Sequence, residues 1–398
     1  MKQTNFLILG GMLLSGACGT VAAESTAAST SSASNVTMYG IVDVAVTRVD
    51  HLPGGAKTYM RSGPKDGNRL GFMGSEDLGG GTKAIFKLEA GFNTDDGTAG
   101  QAGSLFNRAA FVGLTNNQLG TLTLGRQYSS YFDALNALGP VPVVTGSAGD
   151  HPGDIDGFDI TIRHNNSIKY TSPTMHGFTG SAMVASGEQA GHTGSGGSAA
   201  ASVKFDGSQW HHAIGYQLLK NGPNQLNWDA NTAGSFSKSP VNAGYLSARD
   251  IQFLAAGTRY QMGAVSLGGS VSNVQYTPNS TSVFRDKAIF NTGALLAQWQ
   301  TSTPWLLGAG YTYTQANKAN GITDGARYRQ FALQQAYWFT KRTSVYFLEA
   351  IQRSSGQTLA ANGRTVIDAD AVIGTSQAGL VGDGAHQTMF SLGLRHSF

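Results

Sequence analysis

Thr82-Lys83-Ala84-Ile85-Phe86-Lys87-Leu88-Glu89-Ala90-Gly91-Phe92 divides its side chains between two faces. Ala84, Phe86, Leu88, Ala90 and Phe92 share one face. Lys83, Ile85, Lys87, Glu89 and Gly91 share the other, because a strand turns successive side chains to opposite sides. A soluble sandwich alternates in the same way, with its oily face buried and its polar face wet. This segment by itself therefore leaves sandwich and membrane barrel both open. Its surroundings discriminate between them.

Immediately before it, Leu78 to Gly81 is a tight link carrying the glycines that hairpin turns need. Working outward, strand patterns fall near 36–48, 68–77, 82–92, 106–115, 121–128, 166–173, 178–187, 200–206, 209–220, 249–262, 264–276, 287–300, 305–315, 326–340, 343–354 and 386–398. The gaps between them alternate short and long. Tight links occur at Asn116 to Gly120, Thr174 to Gly177, Gly207-Ser208, Gly263, Thr301 to Pro304 and Lys341-Arg342, with long stretches rich in Gly, Ser, Asn and Asp between. An even strand count with short turns at one end and long loops at the other is the pattern of an outer-membrane barrel. Closing the sheet removes the edge whose polar groups lipid could not satisfy.

Composition agrees. Charged residues are only 13% of the 398, glycines number 54, and the 40% hydrophobic content is spread through short alternating segments. The formal charge of +3 is scattered along the chain, which gives no nucleic-acid footprint. Residues 1–23 read as a signal peptide: Lys2, an apolar stretch from Phe6 to Val21, then Val21-Ala22-Ala23 with cleavage expected after Ala23. The only cysteine, Cys18, lies within that leader, so no thiol, disulfide or Cys-based metal site is expected in the exported chain. A lipoprotein cut before Cys18 would favour Leu where Ser15 stands. Residues 24–34, rich in Ser, Ala and Thr, form a tether too polar to fold alone. The folded unit is then 35–398.

The last strand alternates Phe390, Leu392, Leu394, His396 and Phe398 with Met389, Ser391, Gly393, Arg395 and Ser397, and the chain ends on an aromatic. This resembles the C-terminal assembly signal that the barrel-assembly machinery reads in outer-membrane barrels. Four further stretches, Val36-Thr37-Met38-Tyr39-Gly40-Ile41-Val42-Asp43, Asn68 to Gly79, Leu119 to Gln127 and Lys341-Arg342-Thr343, together with Leu394 to Phe398, resemble the trimeric general porins of Gram-negative bacteria, in particular the beta-proteobacterial branch. The resemblance implies an all-β, 16-stranded antiparallel transmembrane barrel in the cell outer membrane. It also implies a homotrimer and a third loop, about 129–160, folded inward to narrow each pore.

By that resemblance Arg69, Arg108 and Arg163, and less closely Arg126, correspond to wall arginines. They would face loop carboxylates drawn from Asp133, Asp150, Asp154, Asp156 and Asp159. Parity puts Arg69 with Gly71, Met73 and Ser75, toward the lumen, whereas Arg108 shares parity with Ala110, Val112 and Leu114 and alternation leaves it undecided. Asp154 to Asp159 lacks the ligand spacing and terminal Glu of a calcium loop, and no metal site is expected. Nor is a cofactor. Gly-x-Ser-x-Gly and His-Glu-x-x-His are both absent, which argues against an outer-membrane hydrolase. The expected activity is passive diffusion of small hydrophilic solutes and ions with mild anion preference. The alternative is a solute-specific channel with a binding site at the constriction loop.

Overall fold

The computed structural model describes residues 35–141, 145–158, 162–188, 190–191, 194–222, 228, 239–374 and 380–398. The leader and tether expected at 1–34 lie outside the described residues. Sixteen wall strands follow in chain order: β1 (Asn35–Leu52), β2 in two pieces (Gly55–Ser62 and Arg69–Gly79), β3 (Thr82–Gly91), β4 (Ala109–Asn116), β5 (Gly120–Gln127), β6 (His164–Thr171), β7 (Phe178–Ala185) and β8 (Ser198–Asp206). The second half comprises β9 (Trp210–Lys220), β10 (Asp250–Met262), β11 (Val265–Thr277), β12 (Ala288–Gln300), β13 (Trp305–Ala316), β14 (Arg327–Trp338), β15 (Thr343–Ser355) and β16 (His386–Ser397). Every strand pairs antiparallel with its chain neighbours, and β16 pairs with β1 from Ile41↔Ser397 to Asp50↔Thr388. The sheet is closed.

Closure depends on a close approach at Gly40. Gly40 and Phe398 exchange both backbone hydrogen bonds at 3.1 Å. A Cβ on Gly40 would lie 2.4 Å from the Phe398 ring and 2.8 Å from Arg69 O, so the terminal aromatic seats against a residue that must lack a side chain.

Alternation sorts the wall. Val112, Leu124, Ile168, Val184, Val271, Leu295, Phe331 and Leu392 are exposed on the outer face, while Asp43, Thr47, Glu89, Thr123, Thr314, Gln330, Gln352 and Ser391 are buried on the inner one. Such a largely apolar exterior, interrupted by the exposed Gln335–Glu349 pair, would aggregate in water and is the belt required in lipid. At the short-turn end, Trp210 against Tyr260 (4.5 Å), Trp305 against Tyr337 (5.2 Å) and Tyr337 against Phe339 (5.3 Å) form part of an aromatic girdle. Trp338 is not in it. It pairs with Ser344 on the inner side, and the Arg395 guanidinium stands over its ring at 5.4 Å.

One connection departs from the sequence expectation. The stretch between the first two strands is not a long loop: Gly55–Ser62 pairs with β1, from Val44↔Ser62 to Leu52↔Gly55. A tight turn at Pro53-Gly54, with Gly54 at φ +87°, joins them. Its Lys, Thr and Ser disguise alternation in which Met60, opposite Val46, faces out while Arg61 faces in. The extra chain appears instead as an inward kink at 63–68. Asp43 pins that kink, accepting from Lys65 N at 2.9 Å and Asp66 N at 2.6 Å, while Asp43 N donates to Asn68 Oδ1.

Candidate pore constriction

The connection after β5 enters the barrel. It begins with a one-turn helix, α1 (Ser130–Leu135), capped by Ser129 Oγ accepting from Phe132 N at 3.2 Å. Tyr131 and Leu138 then pack on the inner wall where glycines leave room. A Cβ on Gly215 would meet Tyr131 at 3.0 Å, and one on Gly257 would meet Leu138 at 3.0 Å. On the far side Gln330 Nε2 donates to Ala148 O (3.1 Å) and Asp150 O (2.7 Å), and Arg61 Nη2 donates to Ser147 Oγ (2.8 Å).

The return limb is tied to the outgoing one by Tyr131 Oη donating to Asp156 O and by Asn136 Nδ2 donating to Phe158 O, both 2.8 Å. With Val241, Tyr245, Phe253, Tyr276 and Phe290, the loop's Tyr131, Leu135, Ile155 and Phe158 build an apolar core inside the barrel. That core fills one side of the lumen. Strands β1 to β6 and their ends carry a separate group of charged side chains.

Four cations and one carboxylate meet on that wall. Glu89 accepts from Arg108 Nε (2.7 Å), Lys87 Nζ (3.2 Å) and Tyr39 Oη (2.7 Å), which satisfies a group with only 2% exposure. Arg69 pairs across the sheet with Gly91, and a Cβ on Gly91 would lie 3.1 Å from Arg108 Cδ, so the two guanidinium stems run side by side. Arg69 Nε donates to Gly67 O at 2.9 Å. Arg163 donates from Nε and Nη2 to Tyr128 Oη at 3.2 and 3.1 Å and stands 5.2 Å from the centre of its ring. Burial alone would raise the Tyr128 phenol, but Arg108 and Arg163 outweigh it and hold the group below its ordinary value. The cluster carries an excess of about three positive charges, counting each ion as one unit.

Arg108 reaches the lumen despite its parity because β4 begins at Ala109, so Arg108 precedes the alternating ladder and only its backbone N is tied to Glu89 O. Arg126 is a correction. It pairs with Ala110 on the lipid-side face of β5, which carries Leu122 and Leu124, and donates to Asn107 O (2.8 Å), Asn165 Oδ1 (2.5 Å) and Gln101 Oε1 (3.1 Å). It is not part of the cluster.

The loop acids are a second correction. Asp150, Asp154 and Asp156 are buried in the loop's own packing, at 1%, 2% and 0% exposure, instead of facing the arginines across open water. Asp156 Oδ2 meets His151 Nδ1 at 2.7 Å and accepts from Ser272 Oγ at 2.5 Å, so it fastens the loop to β11. Asp133 alone of the described four is exposed, and it pairs with Lys169 at 2.5 Å. Asp159 lies outside the described residues.

Lys87, Glu89, Tyr39, Tyr128 and Lys169 were not singled out from sequence as constriction residues. For Lys87 and Glu89 the signal was available, since both stand on the polar parity of β3. A second wall group, Lys65, Asp66, Arg395 and Asp43, is balanced: Arg395 binds Asp66, Tyr346 donates to Asp43, and Lys65 donates to Gln334.

A closed barrel with a largely apolar exterior, a third loop that enters it and a cluster of charged side chains on the wall defines an outer-membrane channel. The chain belongs to the Gram-negative porin family, which residues 15–355 match. It is 28% identical over 385 residues to an outer membrane porin protein of Bordetella pertussis, covering 83% of this chain and 95% of that one. Outer membrane porin protein 32 of Delftia acidovorans is also 28% identical, over 375 residues, covering 92% of this chain and 94% of the relative. Among solved structures, the anion-selective porin from Comamonas acidovorans superposes with a TM-score of 0.69 at 23% identity, across 92% of this chain and all of that one. The protein is an outer-membrane porin, a channel of the Gram-negative outer membrane.

Proposed function

We propose that the channel passes small hydrophilic solutes and ions by passive diffusion with a preference for anions. The observation that carries the selectivity is the excess of positive charge formed by Arg69, Arg108, Arg163 and Lys87 around the single carboxylate of Glu89. The acids on loop three are turned into its own packing or paired. Cations crowded against a low-dielectric wall raise the local anion concentration. Reversal potentials of the purified protein in a KCl gradient test this, and a cation preference would overturn it. The same cluster supports a second reading. Paired guanidinium groups beside Tyr39 and Tyr128 suit a carboxylate or phosphate oxygen pair, so saturable current block by a small dicarboxylate would show a binding site in place of simple diffusion.

The assembly we propose is a homotrimer embedded in outer-membrane lipid, with conductance steps in multiples of three. The outward row Phe390, Leu392, Leu394 and His396, ending at Phe398, is proposed as the signal for the barrel-assembly machinery. No catalytic role is proposed.

A further inference from the structure

The lipid-facing side carries a feature that conduction does not use. Arg329 on β14 and Arg353 on β15 are direct partners in the antiparallel register, in line with the outward pair Phe331↔Ile351. Their stems therefore start about 5 Å apart and leave on the same outer face. Both side chains are exposed. Like charges placed directly opposite destabilise a sheet unless something lies between them. Among the described residues neither arginine has a carboxylate partner, although neighbouring outward arginines do: Arg48 pairs with Asp50 at 2.9 Å and Arg327 with Asp324 at 2.6 Å. What Arg329 does have is the Tyr313 ring, 5.7 Å from its guanidinium.

Their height along the wall is the second observation. Arg329 stands eight residues from Tyr337 on β14, and Arg353 eight from Val345 on β15. At about 3.3 Å per residue and a tilt of about 40°, that is roughly 20 Å along the membrane normal from the short-turn girdle. The apolar band of such a barrel is about 25 Å tall, so the pair stands about 5 Å short of the opposite boundary, within reach of an extended arginine side chain to the outer-leaflet headgroups. Below it, Phe331 and Ile351 offer apolar surface to acyl chains.

We propose that Arg329 and Arg353, flanked by Tyr313, bind the phosphate of a phosphorylated glycolipid in the outer leaflet, with its acyl chains lying along Phe331 and Ile351. Two guanidinium groups at one point match the paired oxygens of a phosphate monoester, and a bound dianion relieves their mutual repulsion. The inference rests on the membrane placement of the barrel and is independent of the anion preference of the pore.

The test is native mass spectrometry of delipidated protein titrated in detergent with bisphosphorylated lipid A. The wild type is expected to retain the adduct, and R329Q/R353Q to bind about tenfold more weakly. R329K/R353K, which keeps the charge and loses the planar fork, is expected to fall between them. Unchanged single-channel conductance of the Gln variant in phosphatidylcholine bilayers shows that it is folded. Equal lipid A retention by wild type and R329Q/R353Q would overturn the proposal, as would equal retention of phosphatidylcholine by the wild type. Millimolar inorganic phosphate is expected to leave the adduct intact; complete displacement would show a site for free phosphate and overturn the lipid assignment.

Discussion

Replacing Arg69 by glutamine tests the electrostatic account most directly. Arg69 faces the lumen beside Arg108, yet its one hydrogen bond within the cluster goes to a backbone carbonyl, Gly67 O, which a glutamine amide can also satisfy. R69Q therefore removes charge with little change in packing. At about 7 Å from a permeating ion in water, one unit charge is worth about 0.6 kcal/mol, and a Debye length of about 10 Å at 0.1 M salt halves this to roughly 0.3 kcal/mol. That enriches anions and depletes cations by a factor of about 1.7 each, so losing one charge should lower the chloride-to-potassium permeability ratio about threefold.

The assay is the reversal potential across a planar bilayer with a tenfold KCl gradient at a mean near 0.1 M. R69Q/R163Q should shift the ratio about ninefold if the two act independently, and both effects should shrink at 1 M salt as screening grows. An R69Q channel with wild-type reversal potential and wild-type conductance would refute the assignment of these arginines to the selectivity-determining passage.

Four further outcomes follow from the same geometry. D133N, which removes the exposed loop-three partner of Lys169 on β6, should raise anion preference about threefold by the same screened interaction, read again from reversal potentials. D156A leaves His151 and Ser272 without their buried acceptor, costing about 1–3 kcal/mol in the loop's anchorage. Faster proteolytic nicking between 129 and 160 with the barrel intact would report this, and unchanged nicking would count against it. Anion preference should fall with rising pH before ordinary tyrosines titrate, because Arg108 and Arg163 hold Tyr128 below its usual value and its deprotonation adds a negative charge beside them; Y128F should lose this step in a reversal-potential titration. Gly40→Val should impair closure because the new side chain would overlap Phe398 and Arg69 O. Its yield of heat-modifiable barrel should fall well below wild type, whereas substitution at the open Gly293, where a Cβ would meet nothing within 4 Å, should fold normally.

How much of the site was legible depended on whether local alternation or long-range packing positions each residue. Arg69, Lys87 and Glu89 lie within regular strands, and parity states their side. Arg108 stands one residue outside its ladder, and only the structure shows it turning in to Glu89. Arg126 is set by its register with Ala110, which places it beyond the reach of the lumen. The loop acids could not be placed from sequence at all, because an aspartate in a loop reads the same whether it faces water or, like Asp156, holds two buried partners.

From the sequence alone came the barrel, its strand count and its inside-outside pattern, since a wall between lipid and water imposes a two-residue period on every strand and turn residues on every short link. Tertiary structure decided the first hairpin and the kink that Asp43 pins. It also decided the course of loop three and the charge left exposed along the passage. Those depend on contacts between residues far apart in the chain, such as Arg61 with Ser147 and Asp156 with Ser272, and no local period records them. The terminal Phe398 spans both: its alternation is plain in the sequence, but its seat on Gly40, at the opposite end of the chain, exists only once the barrel closes.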